Sequence, residues 1–300
     1  PQFHPNRHGF DEFFAFIGGA LDYYSHLGDD GKHDLYENEQ PVHSDRYLTD
    51  EITDRAISFI ERHHGEPFFI DVAYNATHWP FQPPGLTKTA HPAGTPAEVV
   101  KKWAAQGTRK DYVRMLERAD EGIGRILAAI DRSGLRRNTL VIFTSDNGGE
   151  WLSRMDPLFH RKTTLWEGGL RVPCMLRWPA QLPAKRISRQ PAITMDLTAT
   201  ILSAAGAKIR ADRPLDGVDQ HRLERREAPT EALLRQDQGR GAEEAQQSAR
   251  DPPAGSADLP RAPDGEAVPR PLGRRLLCAL GSPANAAELP RHDPSPHHPP

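Results

Sequence analysis

Cysteine, long apolar runs and an excess of charge of one sign are all scarce in this 300-residue sequence. The two cysteines, Cys174 and Cys278, stand in no Cys-x-x-Cys pair, so their spacing indicates neither a zinc cage nor a disulfide framework, while a single bridge between them stays open. No apolar run reaches about 18 residues, and we predict no transmembrane helix. The net charge of −3 favours neither a nucleic-acid partner nor an acidic membrane surface.

Six residue types are missing from the last part of the chain. Residues 219–300 contain no Phe, Trp, Tyr, Ile, Met or Lys, yet they hold 13 of the 28 prolines. A segment with so few large apolar groups gains too little from burial to offset the entropy of ordering it. We therefore predict a globular domain over residues 1–218 and a disordered tail over residues 219–300. Because this Pro/Arg/Ala-rich composition is also typical of a shifted reading frame in a GC-rich gene, a frame-shifted tail and a natural tail are both hypotheses.

Two continuous apolar runs, residues 67–74 and 139–146, predict strands. Continuous rather than alternating apolarity is typical of strands that are buried on both faces of a parallel sheet. Apolar residues at helical spacing predict three helices, at residues 52–60, 112–130 and 195–205. Thr49 is the predicted N-cap of the first helix. Strands that alternate with helices predict an α/β fold.

In α/β sheets the chemistry lies beyond the carboxyl ends of the strands. This rule directs attention to residues 75–80 and 146–149. Asp146 and Asn147 offer a carboxylate and an amide oxygen side by side, which are hard ligands suited to Ca²⁺ or Mg²⁺. The alternative is an ordinary Asx turn that closes the strand. The two glycines that follow allow a sharp turn and a close approach to a ligand.

Two basic side chains are further candidates for chemistry. His78 follows the first predicted strand and is able to bind an anion or to transfer a proton near neutral pH. Lys162 is able to hold an oxyanion as a point charge. For either residue considered alone, a solvated surface side chain is the commoner explanation, so the chemical interpretation depends on their occurring together.

Five phrases follow one another along residues 8–218 in an order that is specific as a set. The first lies within residues 8–23 and contains His-Gly-Phe-Asp-Glu-Phe-Phe and Gly-Gly-Ala-Leu-Asp-Tyr. The second lies within residues 48–81 and contains Leu-Thr-Asp and the strand with its His-x-Pro phrase. The other three are Thr-Ser-Asp-Asn-Gly-Gly (144–149), Lys-Thr-Thr-Leu-Trp-Glu-Gly-Gly-Leu-Arg-Val-Pro (162–173) and Pro-Leu-Asp-Gly-Val (214–218). Together they resemble the sulfatase family of the alkaline phosphatase superfamily. The resemblance implies a partial alkaline-phosphatase-like mixed sheet that is flanked by helices and followed by the disordered tail.

The resemblance also implies roles for four residues. Asp146 and Asn147 would ligate a divalent cation, commonly Ca²⁺, with Mg²⁺ as the alternative. His78 would contact the sulfate ester or assist proton transfer, and Lys162 would bind a sulfate oxygen and the bridging oxygen of the leaving group. Because related phosphoesterases more often have a His after the Asp, Asn147 favours sulfate esters over phosphate esters. The implied function is metal-dependent hydrolysis of a sulfate ester, with a phosphodiesterase or phosphonate hydrolase as the alternative.

The nucleophile of the family is missing from this chain. Sulfatases use a formylglycine that is made in a Cys/Ser-x-Pro-x-Arg motif, and no such motif occurs in the 300 residues. Because the chain also starts at Pro1 rather than at Met, we expect a fragment whose absent N-terminal segment carries the formylglycine. We expect this fragment to be inactive alone and to bind cations weakly, since two charged ligands would be absent. A non-catalytic remnant is the alternative.

Substrate and compartment stay open at this point. Carbohydrate, aryl and choline sulfates are all compatible with the resemblance. Relatives are often exported, but no signal segment occurs in these residues. A sulfate ester is the only partner that the sequence leads us to expect.

Overall fold

The computed structural model describes residues 3–86, 106–209, 212 and 214–220, together with the backbone of Arg275–Ala279. Helices in these residues are α1 (Leu48–Arg62), α2 (Arg109–Arg132), the short α3 (Glu167–Leu170) and α4 (Thr194–Ala205), with 3-10 turns at Pro5–Arg7 and Arg136–Asn138. A small antiparallel sheet consists of β1 (Phe14–Ala15), β2 (Tyr36–Glu37) and β3 (Gln40–Pro41). The larger sheet consists of β4 (Phe69–Asp71), β5 (Thr139–Phe143), β6 (Met175–Arg177) and β7 (Arg275–Ala279).

The larger sheet has the strand order β4-β7-β5-β6. Strands β4 and β5 each pair in parallel with β7, whereas β6 pairs antiparallel with β5. The predicted mixed sheet is therefore confirmed. Strand β7 lies within the predicted tail, and the parallel strands on both sides provide hydrogen-bond partners for its backbone. The rest of that predicted tail, beyond Gln220, lies outside the described residues.

The two predicted strands differ in their burial. In β5, Leu140 and Ile142 are 1% and 0% exposed, and the strand is buried as predicted. In β4, Ile70 packs against the cluster between α1 and α2, but Phe69 on the other face is 40% exposed beside Phe10. The prediction that both faces are buried is wrong for β4, because α1 and α2 cover the Ile70 face and leave the Phe69 face partly open in the described residues.

Helix α1 begins one position before the predicted cap. Its N-cap is Tyr47, which makes no side-chain capping bond, and Thr49 lies buried inside the first turn, so the prediction of a Thr49 N-cap is wrong. The hydroxyl group of Tyr47 donates a hydrogen bond to the carbonyl oxygen of Gln82 at 2.9 Å. Burial of this aromatic ring therefore fixes the start of the helix in place of a polar cap. Asp50 and Glu51 in the first turn complement the helix dipole.

Helix α2 has strong local signals at both ends. Thr108 and Asp111 form a capping box at its start, and Gly134, with φ of 71°, follows its C-cap. Helix α4 likewise ends at Gly206 in the left-handed conformation. Both predicted helices are confirmed. Within the described residues, no helix combines the length and apolarity that a membrane crossing needs.

The core of the described residues contains three clusters of buried side chains. One lies between α1, α2 and β4. The same two helices are also linked by Arg118 on α2, whose guanidinium donates to both carboxylate oxygens of Asp50 on α1 at 2.6 and 2.8 Å. A second contains Tyr23, Tyr47 and Met115 and lies behind the loop that follows β4. The third, around Trp178, packs α4 against β5. The first two clusters support the loops that carry the predicted site residues.

Candidate active site

The four predicted site residues line one cavity. His78 lies in the loop after β4, Asp146 and Asn147 follow β5, and Lys162 lies in the segment before α3. All four line a cavity of about 470 Å³ at the carboxyl ends of β4 and β5. This is the edge of the sheet at which α/β proteins place their ligands. The structure thus brings these side chains together, although they are distant in the sequence.

His78 is held as a neutral imidazole. Its Nδ1–H donates a hydrogen bond to the carbonyl oxygen of Trp79 at 2.8 Å, which leaves Nε2 as the unprotonated nitrogen. Burial lowers the pKa of His78 below its ordinary value, and the positive charge of Lys162 lowers this pKa further. A neutral imidazole with a free Nε2 is able to accept a proton or a hydrogen bond in the cavity.

The loop that carries His78 is fixed from below by Tyr23. This side chain is fully buried, and its hydroxyl group donates to the carbonyl oxygens of Asn75 at 2.8 Å and of His78 at 3.1 Å. The backbone N–H of Tyr23 donates to Oε1 of Gln82 at 2.8 Å, which ties both ends of the loop to the same residue. Tyr23 belongs to a phrase that carried the family resemblance, but no sequence pattern indicates this contact, because its partners lie more than 50 positions away.

Asp146 and Asn147 present adjacent oxygen donors at the end of β5. The Asp146 carboxylate accepts hydrogen bonds from the Asn147 backbone N–H at 2.9 Å and from its Nδ2 at 2.6 Å. The donor chemistry fits a hard divalent cation, but Ca²⁺ takes 6–8 oxygen ligands. In the described part of the chain, no group of three or more His, Cys, Asp or Glu side chains is placed to hold a metal. These residues therefore fit part of a cation site.

Lys162 is connected to the end of β5 through the backbone. Its N–H donates to the carbonyl oxygen of Gly149 at 3.0 Å, and the N–H of Gly148 donates to the carbonyl oxygen of Gly169 at 2.9 Å. The sequence suggested that Gly148 and Gly149 turn the chain toward a ligand. In the structure, a Cβ atom on Gly148 would meet the backbone of Gly168 and Gly169, and a Cβ atom on Gly149 would meet the side chains of Ser153 and Met155. The two glycines therefore allow the chain that follows Lys162 to pass close to the end of β5.

Sequence reasoning missed the ionisable side chain that lies next to Lys162 in the cavity. Oε2 of Glu150 lies 3.9 Å from Nζ of Lys162, and both side chains are largely shielded from solvent. Glu150 follows the Asp-Asn-Gly-Gly phrase directly, so a signal for it existed: a carboxylate next to a proposed anion site. Arg171, which belongs to the phrase at residues 162–173, lines the same cavity.

Comparison with models of protein families shows the family to which the chain belongs. The model of the sulfatase family matches residues 2–207, which is more than half of the 300 residues. The chain belongs to the sulfatase family. The resemblance that the five phrases indicated is confirmed.

Curated sulfatases are similar to this sulfatase chain over much of its length. N-acetylgalactosamine-6-sulfatase of Mus musculus is 31% identical over 241 residues, which cover 73% of this chain and 43% of the relative. Steryl-sulfatase of Mus musculus is 35% identical over 182 residues, which cover 57% of this chain and 27% of the relative. The chain therefore spans less than half the length of these relatives.

Solved sulfatase structures share the fold of this chain. The crystal structure of Ps i-CgsB matches with a TM-score of 0.63 and 30% sequence identity, covering 74% of this chain and 51% of that chain. The putative sulfatase yidJ from Bacteroides fragilis matches with a TM-score of 0.53 and 24% identity, which shows the fold alone. The predicted alkaline-phosphatase-like α/β architecture is confirmed.

Proposed function

We propose that the protein to which these residues belong hydrolyses a sulfate ester in the cavity at the carboxyl ends of β4 and β5. One observation carries the proposal: His78, Asp146, Asn147 and Lys162 line the same cavity in a member of the sulfatase family. Oxygen ligands for a cation and the Lys162 ammonium in one cavity suit the binding of a singly charged sulfate ester, and the neutral imidazole of His78 is available to accept a proton.

Each side chain has a definite role in this proposal. The Lys162 ammonium would bind a sulfate oxygen and the bridging oxygen, where negative charge develops as the ester bond breaks. Nε2 of His78 would contact the ester or assist proton transfer by accepting a proton, because its Nδ1 is already engaged with Trp79. Asp146 and Asn147 would contribute oxygen ligands to Ca²⁺, or to Mg²⁺, and such a cation polarises the oxygens of a bound anion. No Cys/Ser-x-Pro-x-Arg motif occurs in these 300 residues, so no step is assigned to a formylglycine.

The test uses the full-length protein and two substrates in parallel, an aryl sulfate and an aryl phosphodiester. We expect faster hydrolysis of the sulfate, and we expect His78→Ala and Lys162→Met each to lower kcat/KM by about 10²- to 10³-fold. His64→Ala, at an exposed position beyond α1, is the matched control and should leave the rate unchanged. Faster hydrolysis of the phosphodiester would assign the protein to the phosphoesterase side of the superfamily. Equal rates for His78→Ala and the parent would contradict the proposed role of His78.

The 300-residue chain alone provides a second test. Two adjacent oxygen donors should bind Ca²⁺ only weakly, with a Kd on the order of 10⁻³ M or higher, and calorimetry measures this directly. We expect no hydrolysis of an aryl sulfate by this chain. Detectable turnover that disappears in Lys162→Met would show that the described residues form a complete active site, contrary to the proposal.

A further inference from the structure

We propose that Glu150 is a positioning residue for Lys162: its carboxylate holds the lysine ammonium inside the cavity and is exchanged for an oxygen of the incoming anion. This inference deepens the proposed function and rests on it for the identity of the anion. The ion pair itself is a property of the chain and is testable separately.

The Lys162–Glu150 ion pair is shielded from solvent, but its two charged groups do not form a direct hydrogen bond. The side chains of Lys162 and Glu150 are 14% and 18% exposed, whereas the charged groups in the ion pairs on α1 and α2 are 24–62% exposed. Because a shielded ammonium loses solvation, a nearby carboxylate stabilises it more than at the surface. The separation of 3.9 Å between Nζ and Oε2 is too long for a direct hydrogen bond, so the three N–H donors of Lys162 are not committed to Glu150.

The backbone fixes the two partners relative to each other. The N–H of Lys162 donates to the carbonyl oxygen of Gly149, the residue before Glu150, at 3.0 Å. The carbonyl oxygen of Glu150 accepts from the N–H of Ser153 at 2.9 Å and from its Oγ at 2.5 Å. Because the backbone is fixed, rotation of the side chains is sufficient to move the Lys162 ammonium from Glu150 to another anion.

Charge explains why the exchange would occur. Asp146, Glu150, His78 and Lys162 all line the cavity, and the charges of Lys162, Glu150 and Asp146 all influence the imidazole of His78. Without substrate, Glu150 balances the lysine charge. A sulfate ester carries one negative charge, as the Glu150 carboxylate does, but its oxygens are able to approach the uncommitted N–H donors of Lys162 to hydrogen-bond distance, closer than the 3.9 Å of the ion pair. Lys162 therefore changes partner, while the Glu150 carboxylate remains nearby and opposes ground-state binding.

The first experiment measures the reactivity of Lys162 in the 300-residue chain. Competitive acylation with acetic anhydride is read by mass spectrometry and normalised to Lys32, whose side chain is 83% exposed. In Glu150→Gln we expect Lys162 to react roughly 2- to 5-fold faster, the range expected when one ion pair is removed. Glu150→Asp should lie between this variant and the parent, since it keeps the charge on a shorter side chain.

Two controls keep this experiment decisive. Glu61→Gln removes an exposed carboxylate, 3.5 Å from Arg132, and should not change the reactivity of Lys162. Thermal melting followed by circular dichroism verifies that each variant is folded at the labelling temperature, and Glu150→Asp serves if Glu150→Gln is not. An unchanged Lys162 rate in a folded Glu150 variant would overturn the inference.

The second experiment uses the full-length protein with an aryl sulfate. We expect Glu150→Gln to lower kcat by roughly 10-fold, because the ammonium is less well oriented, while KM stays the same or falls. A rise in KM with unchanged kcat would contradict the positioning role. If the full-length protein hydrolyses no sulfate ester but Lys162 becomes more reactive in Glu150→Gln, the proposed function fails while the lysine–glutamate pair stands.

Discussion

The backbone of Gly168 passes directly against the α-carbon of Gly148. A Cβ atom on Gly148 would overlap the carbonyl oxygen of Gly168 and lie 2.8 Å from its carbonyl carbon. The N–H of Gly148 also donates to the carbonyl oxygen of Gly169, so the glycine pairs at 148–149 and 168–169 cross as two bare backbone segments. This crossing places Lys162 beside the end of β5, and the contact with Gly168 explains why glycine occurs at position 148, where φ is not positive.

We predict that Gly148→Ala destabilises the chain by about 1–3 kcal/mol, because the backbone that the new methyl group meets cannot rotate away. The change should lower the melting temperature and separate Lys162 from the end of β5. Gly19→Ala is the matched control, since a Cβ there meets nothing within 4 Å. Equal melting temperatures for the two variants would show that the crossing is looser than described.

Two glycines of α2 should respond to alanine in opposite directions. A Cβ on Gly122 would lie 2.5 Å from Oγ1 of Thr53 and 2.7 Å from the hydroxyl oxygen of Tyr74, so Gly122→Ala should destabilise by about 1–3 kcal/mol. Gly124 faces open space, so Gly124→Ala should stabilise by about 0.5–1 kcal/mol through helix propensity. Denaturant unfolding measures both values, and a shift of the same sign in both variants would contradict the close packing of α2 on α1.

Removing the Tyr23 hydroxyl group should loosen the loop that carries His78. Tyr23→Phe keeps the buried ring but deprives the carbonyl oxygen of His78 of its donor, which should cost about 1–2 kcal/mol of unfolding free energy. The imidazole resonances of His78 should shift and broaden in NMR spectra. Tyr36→Phe, in the small sheet, removes a hydroxyl group of a half-buried ring and should leave those resonances in place. A sharp, unshifted His78 signal in Tyr23→Phe would exclude the supporting role.

Local patterns predicted those parts of the fold that depend on local signals. Helices α2 and α4 follow from apolar residues at helical spacing and from glycines at their ends, and the strand-end rule located the loops of His78 and Asp146. The features that sequence did not predict depend on distant partners. Tyr47 starts α1 because its ring is buried and its hydroxyl group bonds to Gln82, a residue 35 positions away. Strand β7 depends on β4 and β5, which both lie far earlier in the chain.

The candidate site shows the same division. The residue types at 78, 146, 147 and 162 indicated anion and cation chemistry, and the family resemblance supplied their roles. Tyr23 and Glu150 act through contacts with those residues, and no periodicity or spacing marks such contacts. The position of Glu150 directly after the Asp-Asn-Gly-Gly phrase was a signal for an ionisable neighbour, but the contacts of Tyr23 and Glu150 with the site follow only when the loops are placed.

The pKa of His78 provides a direct measure of the charge next to it. Burial lowers this pKa first and Lys162 lowers it further, so Lys162→Met should raise it toward, but not to, the ordinary histidine value of about 6.5. Because the folded state favours the neutral ring, His78 costs no stability above about pH 6.5, and stability is lost as the pH falls from there through the lowered pKa of the folded protein. That acid-induced loss of stability should be smaller in Lys162→Met, as measured by melting temperature against pH.

NMR titration of the His78 imidazole gives the pKa itself, with Lys32→Met as the control, because Lys32 pairs with Asp30 at the surface. A His78 pKa that is equal or lower in Lys162→Met would mean that the charge of the Lys162 ammonium does not act on the imidazole, although both side chains line the same cavity.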